Sequence, residues 1–375
     1  MALAEAYETR GRLADQERVL AEAEVGIEGA PRAAVRTERA VALQRLGRSS
    51  EALELLAQAV EEAERAGDPV VYARALGKRS AALVYAGRTQ EAADSLSRAE
   101  RLVLTSAGEL RAEAAVWRGQ LAGATGDLGE QRNAYWAAVE LYGALGDLRR
   151  QAGAAVNLAD VYNRVGAHDE AIPALKAALD ACKRVGMRVM EGYAWANLGY
   201  AQLGHGEHEA ARASLHEAER VAEEAGEERL ALAARLYRGK LELACDRAED
   251  AAALASAVAR SARERGLPGL EALACCVAAR ARLSAGDAEA ALREAEHALA
   301  LSDELGGVEE EGGELFCVLG DALFAVGRRE DALHARARGR ATIEAAAARI
   351  GDRHWRERFV NDVEAHRALL EHRSA

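Results

Sequence analysis

NLADVYNRVGAHDEAIPALKAALD, residues 157–180, shows how the rest of the chain is organised. This stretch predicts two amphipathic helices joined by a turn at Gly166. The same pattern returns about forty residues later as NLGYAQLGHGEHEAARASLHEAER, which begins at Asn197. A pattern that repeats at an interval of this length is typical of stacked helix pairs.

Glycines mark the turns of this repeat about every twenty residues. One series falls inside the helix pairs, with an aspartate where one glycine is expected: Gly47, Gly87, Gly126, Gly166, Gly206, Asp246, Gly286 and Gly327. The other series separates the pairs: Gly67, Gly108, Gly146, Gly186, Gly226, Gly266, Gly306 and, late, Gly351. Glycine after a helix end is the usual left-handed stop. Aspartate often follows as the next N-cap, and the candidates are Asp68, Asp127, Asp147, Asp287 and Asp352.

These turns predict nine helix pairs, at about 2–25, 31–66, 69–105, 108–145, 148–185, 188–225, 227–265, 268–305 and 308–350. The first pair is short and poorly patterned, so residues 1–30 are predicted to be a degenerate pair and residues 31–351 a solenoid. In the C-terminal segment 352–375, one helix at about 353–372 is predicted to cap the array, with Trp355 and Phe359 on one face.

Small residues recur at fixed positions of the repeat. The column seven residues before the intra-pair turn holds Ala40, Ser80, Gly119, Ala159, Gly199, Gly239, Ala279 and Gly320. The column five residues after that turn holds Ala52, Ala92, Gln131, Ala171, Ala211, Ala251, Ala291 and Ala332. Small side chains are needed where helix backbones cross closely, so we expect the same crossing in each pair.

These columns resemble the tetratricopeptide repeat. The pattern is carried by Asn157-Leu158, Gly166, Glu170-Ala171-Ile172 and Ala178, and again by Asn197-Leu198-Gly199, Gly206, Ala211 and Ala218. The resemblance covers about residues 31–350. The period near 40, longer than the common 34 residues, is similar to kinesin-light-chain and LGN-type repeats and to the sensor arms of bacterial signalling ATPases related to the maltose regulator. The resemblance implies an all-α, right-handed superhelical solenoid of about nine repeats.

Composition limits the possible function classes. The net charge of −12 disfavours general nucleic-acid binding. No apolar run approaches the length of a membrane span, and the N-terminus has no signal-peptide core. The five cysteines, an odd number, suit reduced thiols in a cytoplasmic protein. We therefore expect a cytoplasmic protein without nucleic-acid or membrane partners, whose oligomeric state the sequence does not define.

No catalytic or cofactor motif is present. The sequence has no glycine-rich phosphate loop and no nucleophile elbow. His205, Glu207 and His208 lie at a turn without a further cysteine or histidine nearby in sequence, which favours solvated turn residues over a metal site. Cys275 and Cys276 point about 100° apart on a helix, which disfavours a redox pair. We predict a protein that is not an enzyme and has no cofactor or metal.

The resemblance also implies where a partner would bind. In this family the first helix of each pair lines the concave side. Carried over to this chain, the implied partner-binding residues are Gln120, Asp160, Asn163, Tyr200, Lys240, Arg280 and Phe324. Such a groove suits an extended or helical segment with apolar anchors and an acidic residue near Lys240 and Arg280. The alternative interpretation is that these are ordinary solvated or packing residues.

The carboxylate clamp of cochaperones in this family is not predicted. Its basic positions hold Val116, Tyr193 and Tyr237 here. Asn157 and Asn197 fit its asparagine position, and we expect them instead to bond the backbone between neighbouring repeats.

The sequence therefore predicts a protein-interaction scaffold or adaptor that binds a partner protein or peptide in the concave groove. The alternative is a ligand- or peptide-sensing arm of a larger bacterial signalling protein, such as an ATPase, a kinase or a transcription regulator. The thin first pair motivates that alternative, because a repeat array separated from an upstream domain would begin in this way.

Overall fold

Helices follow one another along the chain in the computed structural model, which describes residue 7 and residues 12–103, 108–305 and 312–371. No strand occurs among these residues. In chain order the helices are α1 (Leu13–Glu24), α2 (Gly29–Arg45), α3 (Ser49–Ala66), α4 (Pro69–Tyr85), α5 (Thr89–Val103), α6 (Gly108–Ala124), α7 (Leu128–Ala144), α8 (Leu148–Arg164), α9 (His168–Val185), α10 (Arg188–Gly204), α11 (His208–Ala225), α12 (Glu228–Ala244), α13 (Ala248–Glu264), α14 (Pro268–Ser284), α15 (Ala288–Glu304), α16 (Gly312–Ala325), α17 (Arg329–Arg349), α18 (Arg353–Asn361) and α19 (Glu364–Glu371). The predicted all-α solenoid is confirmed.

The pairing of these helices agrees with the predicted register. From α2 to α17 the helices form successive pairs, with bounds within a few residues of the predicted ones. The second helix of the predicted first pair is α1, and most of the first helix lies outside the described residues. The beginning of the pair 308–350 also lies outside them.

The turns adopt left-handed backbone where the glycine series predicts it. Every member of the intra-pair series has a positive φ, including Asp246 at 59°, the one described residue other than glycine that does so. Aspartate tolerates this region better than most residues. In the second series Gly351 lacks a positive φ, so the prediction of a left-handed stop there is wrong. Gly108 is the first residue of α6, and Gly306 lies outside the described residues.

The predicted N-caps are confirmed. Each aspartate side chain accepts a hydrogen bond from a backbone amide two or three residues further on, in Asp68, Asp127, Asp147, Asp287 and Asp352. These bonds satisfy amides that have no partner within the helix, so each cap fixes where its helix begins.

The small-residue columns meet at the crossing of the two helices of a pair. Ser80 Oγ donates to the Ala92 carbonyl over 2.8 Å. A Cβ built on Gly199 would lie 2.6 Å from Leu215 Cγ, so α10 and α11 need glycine there. A Cβ on Gly239, in the same column, would meet nothing closer than 3.7 Å. At this repeat position a side chain larger than glycine is therefore excluded at Gly199 on α10 but has room at Gly239 on α12.

The helices form two compact units. Unit 1 runs to Leu158 and includes Ala181–Arg188, and unit 2 comprises Ala159–Asp180 and the chain from Val189 onward. First helices of neighbouring pairs pack on one another, α2 on α4 and α4 on α6 in unit 1, α12 on α14 and α14 on α16 in unit 2. The first helices therefore lie next to one another within each unit. The core lies between first and second helices, and in unit 2 it includes Leu236, Val258, Val277 and Val318.

The C-terminal segment differs from the single capping helix predicted at 353–372. The chain bends at Asp362 and Val363, which separate α18 from α19. Side chains of α19 bond the carbonyls that the bend leaves without helical partners. His366 Nδ1 lies 2.8 Å from the Phe359 carbonyl, and Arg367 Nη1 donates to the Asn361 carbonyl over 3.0 Å. These bonds compensate for the interrupted helix.

Candidate functional site

Four neighbouring pairs of unit 2 place one long side chain at the same position of their first helices. Tyr200 lies on α10, Lys240 on α12, Arg280 on α14 and Asp321 on α16, about forty residues apart. We call these four residues the inner row, because they occupy the repeat position that the family resemblance assigns to the concave side. Three of them are predicted partner-binding residues; Tyr200 contacts Lys240, and Arg280 contacts Asp321.

The aromatic end of the inner row holds Lys240 against two tyrosines. The rings of Tyr200 and Tyr237 lie 4.8 Å apart, and Lys240 Nζ lies 5.4 Å from the centre of the Tyr200 ring. The ammonium also pairs with Glu314 Oε2 at 3.0 Å, and the Lys240 side chain is only 10% exposed. Lys240 is thus held by an ion pair and a cation–π contact, and its charge is balanced within the chain.

The positive charge of Arg280 is likewise balanced by a carboxylate of the chain. Its Nη1 donates to Asp321 Oδ2 over 2.8 Å, and Arg336 donates to the other oxygen of Asp321 over 2.5 Å. Burial by itself would lower the pKa of Arg280, but the carboxylates of Glu314 and Asp321 hold that pKa above its usual value. The guanidinium therefore stays charged although it is largely enclosed.

Glu314 and Arg336 were not predicted as site residues. Glu314 precedes Asp321 by seven residues, two helical turns on the same face of α16. That spacing is the one signal in the sequence that could have identified it. Arg336 lies on α17, a second helix, and the repeat register assigns no inner position to it.

Asn163 serves the contact between neighbouring pairs. It is buried, and its amide donates to the carbonyl of Asn197 over 3.0 Å. Its Oδ1 lies 3.3 Å from Nδ1 of His168, whose ring is edge-on to Tyr200 at 6.0 Å. Burial, followed by the charges of His205 and Arg358, lowers the pKa of His168. Asn163 therefore contacts its neighbours within the unit rather than solvent.

The remaining predicted residues occupy different settings. Phe324, at the end of α16, is 59% exposed, and the Arg329 guanidinium lies 5.5 Å from its ring centre. Asp160 is half-buried on α8 in unit 2, and Gln120 is half-buried on α6 in unit 1. Of these three, Phe324 presents the most apolar surface to solvent.

A second cluster of unit 2 joins α18 to α8 and α9. The ring of Trp355 stacks on Tyr162 with centres 5.3 Å apart. Arg358 donates to both oxygens of Glu170 over 2.7 Å and to Asp169 Oδ1 over 2.5 Å. We call these five residues the closing contact, because it brings the last described helices of unit 2 back to its first segment.

The two carboxylates of the closing contact are unequal. Hydrogen bonds from Glu170 and Arg358 hold the pKa of Asp169 well below its usual range. Burial, and then the bond to Asp169, raises the pKa of Glu170. Arg358, whose side chain is 17% exposed, therefore faces at least one full negative charge.

The described residues include neither a cluster of metal-ligand side chains nor a membrane-spanning helix. No group of three or more His, Cys, Asp or Glu side chains among them is arranged to hold a metal ion. None of the described helices combines the length and the apolar character needed to span a membrane.

Helix pairs with left-handed turns, repeated crossings and a side-chain-lined inner face define a helical-repeat protein. Residues 150–224 match the family model of the tetratricopeptide repeat. The resemblance to the tetratricopeptide repeat family is thereby confirmed. Among curated protein sequences, none matches the chain significantly.

Solved structures share the fold at low sequence identity. A Rap protein complexed with competence and sporulation factor matches with a TM-score of 0.64 and 14% identity, over 91% of this chain and 98% of that one. NprR in complex with its cognate peptide NprX matches with a TM-score of 0.59 and 12% identity, over 87% and 97%. A signal transduction ATPase with numerous domains and a tetratricopeptide repeat sensor, from Pyrococcus horikoshii, matches with a TM-score of 0.56 and 18% identity, over 77% and 45%. At these identities the likeness concerns the fold.

Proposed function

We propose that the chain is a scaffold or adaptor that binds a segment of a partner protein or a peptide along the inner row of unit 2. The observation that carries this proposal is the recurrence of long aromatic or charged side chains on the same face of four neighbouring first helices. The packing columns of the repeat hold small residues, so the fold does not require large side chains on this face. Large residues in a regular line on an inner surface suit recognition.

The internal ion pairs define what such a partner must offer. Lys240 and Arg280 are already paired with Glu314 and Asp321. A carboxylate of the partner therefore has to exchange with a carboxylate of the chain, which contributes more to specificity than to affinity. Affinity has to come from apolar contacts, and Tyr200 and the exposed Phe324 are the side chains placed to make them.

The Rap and NprR structures support a peptide as partner, because each is described as a complex with a peptide or factor. That support is by analogy of fold. The residues of the inner row determine which chemical groups a partner of this chain must carry.

The second candidate function, a sensing arm of a larger signalling protein, is favoured by the closing contact. A sensor needs an element with two arrangements that ligand binding can bias. We infer that the attachment of α18 to α8 and α9 is such an element, and the P. horikoshii structure contains a repeat array that is a sensor in an ATPase.

A site-specific photo-crosslinker tests the inner row directly. We would place it at Tyr200 and, as a matched control, at His216, which is exposed on the second helix of the same pair. Crosslinking to a protein segment in a lysate of the source organism is expected from position 200 and not from position 216. Equal yields from both positions, or a yield from position 216 alone, would contradict the proposal.

Charge reversal provides a second test. Lys240→Glu combined with Arg280→Glu should reduce the yield of that crosslink, because both cations of the inner row are lost. Circular dichroism establishes that the variant keeps its helices. A folded variant with an unchanged yield would place the binding surface elsewhere.

A further inference from the structure

The closing contact does not belong to the repeat pattern. Repeat contacts join neighbouring pairs, whereas Arg358 and Asp169 are 189 residues apart in sequence. Nothing in the forty-residue period requires a tryptophan and an arginine in α18. The surface beneath α18 therefore has a recognition chemistry of its own.

That surface combines an aromatic ring, a glycine that has no side chain and two carboxylates. Tyr162 provides the ring, and Gly166 leaves room for the chain at Asp362, since a Cβ on Gly166 would lie 2.9 Å from Asp362 Cβ. Asp169 and Glu170 lie in the first turn of α9, where carboxylates also interact favourably with the helix dipole. The planar guanidinium of arginine matches paired carboxylates better than the ammonium of lysine does.

The occupant meets this surface with two side chains one helical turn apart. Trp355 covers Tyr162 and Arg358 reaches the acids, a spacing of three residues on one face of α18. Phe359 is also buried, but its ring packs on His366 of α19 at 4.2 Å, within the C-terminal segment itself. Attachment of α18 to α8 and α9 thus depends chiefly on Trp355 and Arg358.

Two features of α18 favour a reversible attachment. A helix of nine residues is too short to be stable by itself. The chain turns away from helix on both sides of it, at Ile350–Asp352 and at Asp362–Val363. Release of α18 would expose the surface without separating any repeat from its neighbour.

We propose that the surface formed by Tyr162, Gly166, Asp169 and Glu170 is a binding site for a helical segment of a partner protein that carries an aromatic residue and, three residues later, an arginine. In the chain alone, α18 occupies this site as an internal competitor. This inference rests on the proposed binding function, because His168 joins the site to the inner row through its contact with Tyr200. It adds the chemistry of the partner and a means of control.

A labelled peptide of residues 351–363 tests the site in trans. In full-length wild type, the tethered α18 competes with the peptide. In the full-length variant Trp355→Ala with Arg358→Ala, this competition is weakened. The peptide should therefore bind the variant at least about tenfold more tightly than wild type. Arg353→Ala, on an α18 residue whose side chain is 88% exposed, is the matched control and should behave as wild type.

Two further variants define the chemistry. Adding Asp169→Asn and Glu170→Gln to the weakened chain should abolish binding, and a peptide with alanine at both anchor positions should not bind. Equal affinity for wild type and the weakened variant, binding that survives loss of the acids, or no binding to the weakened variant at millimolar peptide would each overturn the proposal. If Trp355→Ala with Arg358→Ala loses more helix by circular dichroism than the nine residues of α18 account for, Arg358→Gln with Trp355 retained takes its place.

The peptide-binding experiment and the crosslinking experiment at the inner row test the two proposals separately. Peptide binding without any crosslink from Tyr200 would retain this site and reject the proposed function. A crosslink from Tyr200 without peptide binding would do the reverse.

Discussion

Two contacts of unit 2 differ in how the chain encodes them. At the crossing of α10 and α11, Gly199 lets Leu215 approach, and small residues at the equivalent positions rebuild this crossing in other pairs. The closing contact is made once, by Trp355 and Arg358 of a nine-residue helix. A repeated crossing is part of a continuous core, so its loss affects neighbouring pairs. A contact made once by a short terminal helix can open by itself.

The largest effect should come from overpacking the crossing. Gly199→Leu forces a side chain into the space of Leu215 and should lower the free energy of unfolding by about 3 kcal/mol. Chemical denaturation followed by circular dichroism measures this loss. An unchanged denaturation midpoint would mean that the crossing is not the close approach described above.

A smaller and local effect is expected from the closing contact. Trp355→Ala removes the stack on Tyr162 and should favour opening of α18 by about 2 kcal/mol. Limited proteolysis should then cut residues 350–363 about thirtyfold faster, while the denaturation midpoint of the repeats stays close to that of wild type. A fall in the midpoint as large as that of Gly199→Leu would show that the closing contact belongs to the core, and the comparison would fail.

Acidification should weaken the C-terminal segment. Burial lowers the pKa of His366 below the usual histidine value, which is about 6.5. Neutral His366 therefore stabilises the fold fully above about pH 6.5, and this contribution is lost as the pH falls below that value. Proteolysis of α18 and α19 should accelerate as the pH falls below about 6.5. His366→Gln keeps a donor for the Phe359 carbonyl and should flatten this pH dependence; an equally steep profile would assign it to another group.

The smallest effect should have the opposite sign. Gly239 lies in the same column as Gly199, but a Cβ there would meet only ordinary contacts, the nearest at 3.7 Å. Gly239→Ala should therefore stabilise α12 by up to about 1 kcal/mol, because alanine favours helix. A loss of stability, measured in the same denaturation experiment, would mean that the column is strict in every pair.

The repeated turns and caps could be predicted from the sequence because the same residue pattern recurs about every forty residues. Asp246 is an instance: its place in the glycine series predicts a left-handed turn, and its φ of 59° confirms it. The N-caps follow for the same reason, since each lies at a defined distance from a turn. The register marks one inner position per pair. It therefore allowed the selection of three candidate partner-binding residues, Tyr200, Lys240 and Arg280.

Features that occur once could not be predicted. The bend at Asp362 carries no glycine or proline, and it depends on bonds from His366 and Arg367 to carbonyls of the preceding helix. The partner of Lys240 lies 74 residues away on α16, a distance that only the folded unit defines. The closing contact joins side chains that no sequence interval relates. Asn163 occupies a predicted inner position, yet its amide bonds the backbone of Asn197.

The proposed site requires that α18 leaves its surface while the repeats of unit 2 stay folded. Amide hydrogen exchange of the full-length wild-type chain, measured across low denaturant concentrations, distinguishes such a local opening from global unfolding. We predict that amides of α18 exchange through an opening of much lower free energy, with little denaturant dependence, than amides of α10 and α11. Exchange of α18, α10 and α11 with one shared free energy and one shared denaturant dependence would contradict it.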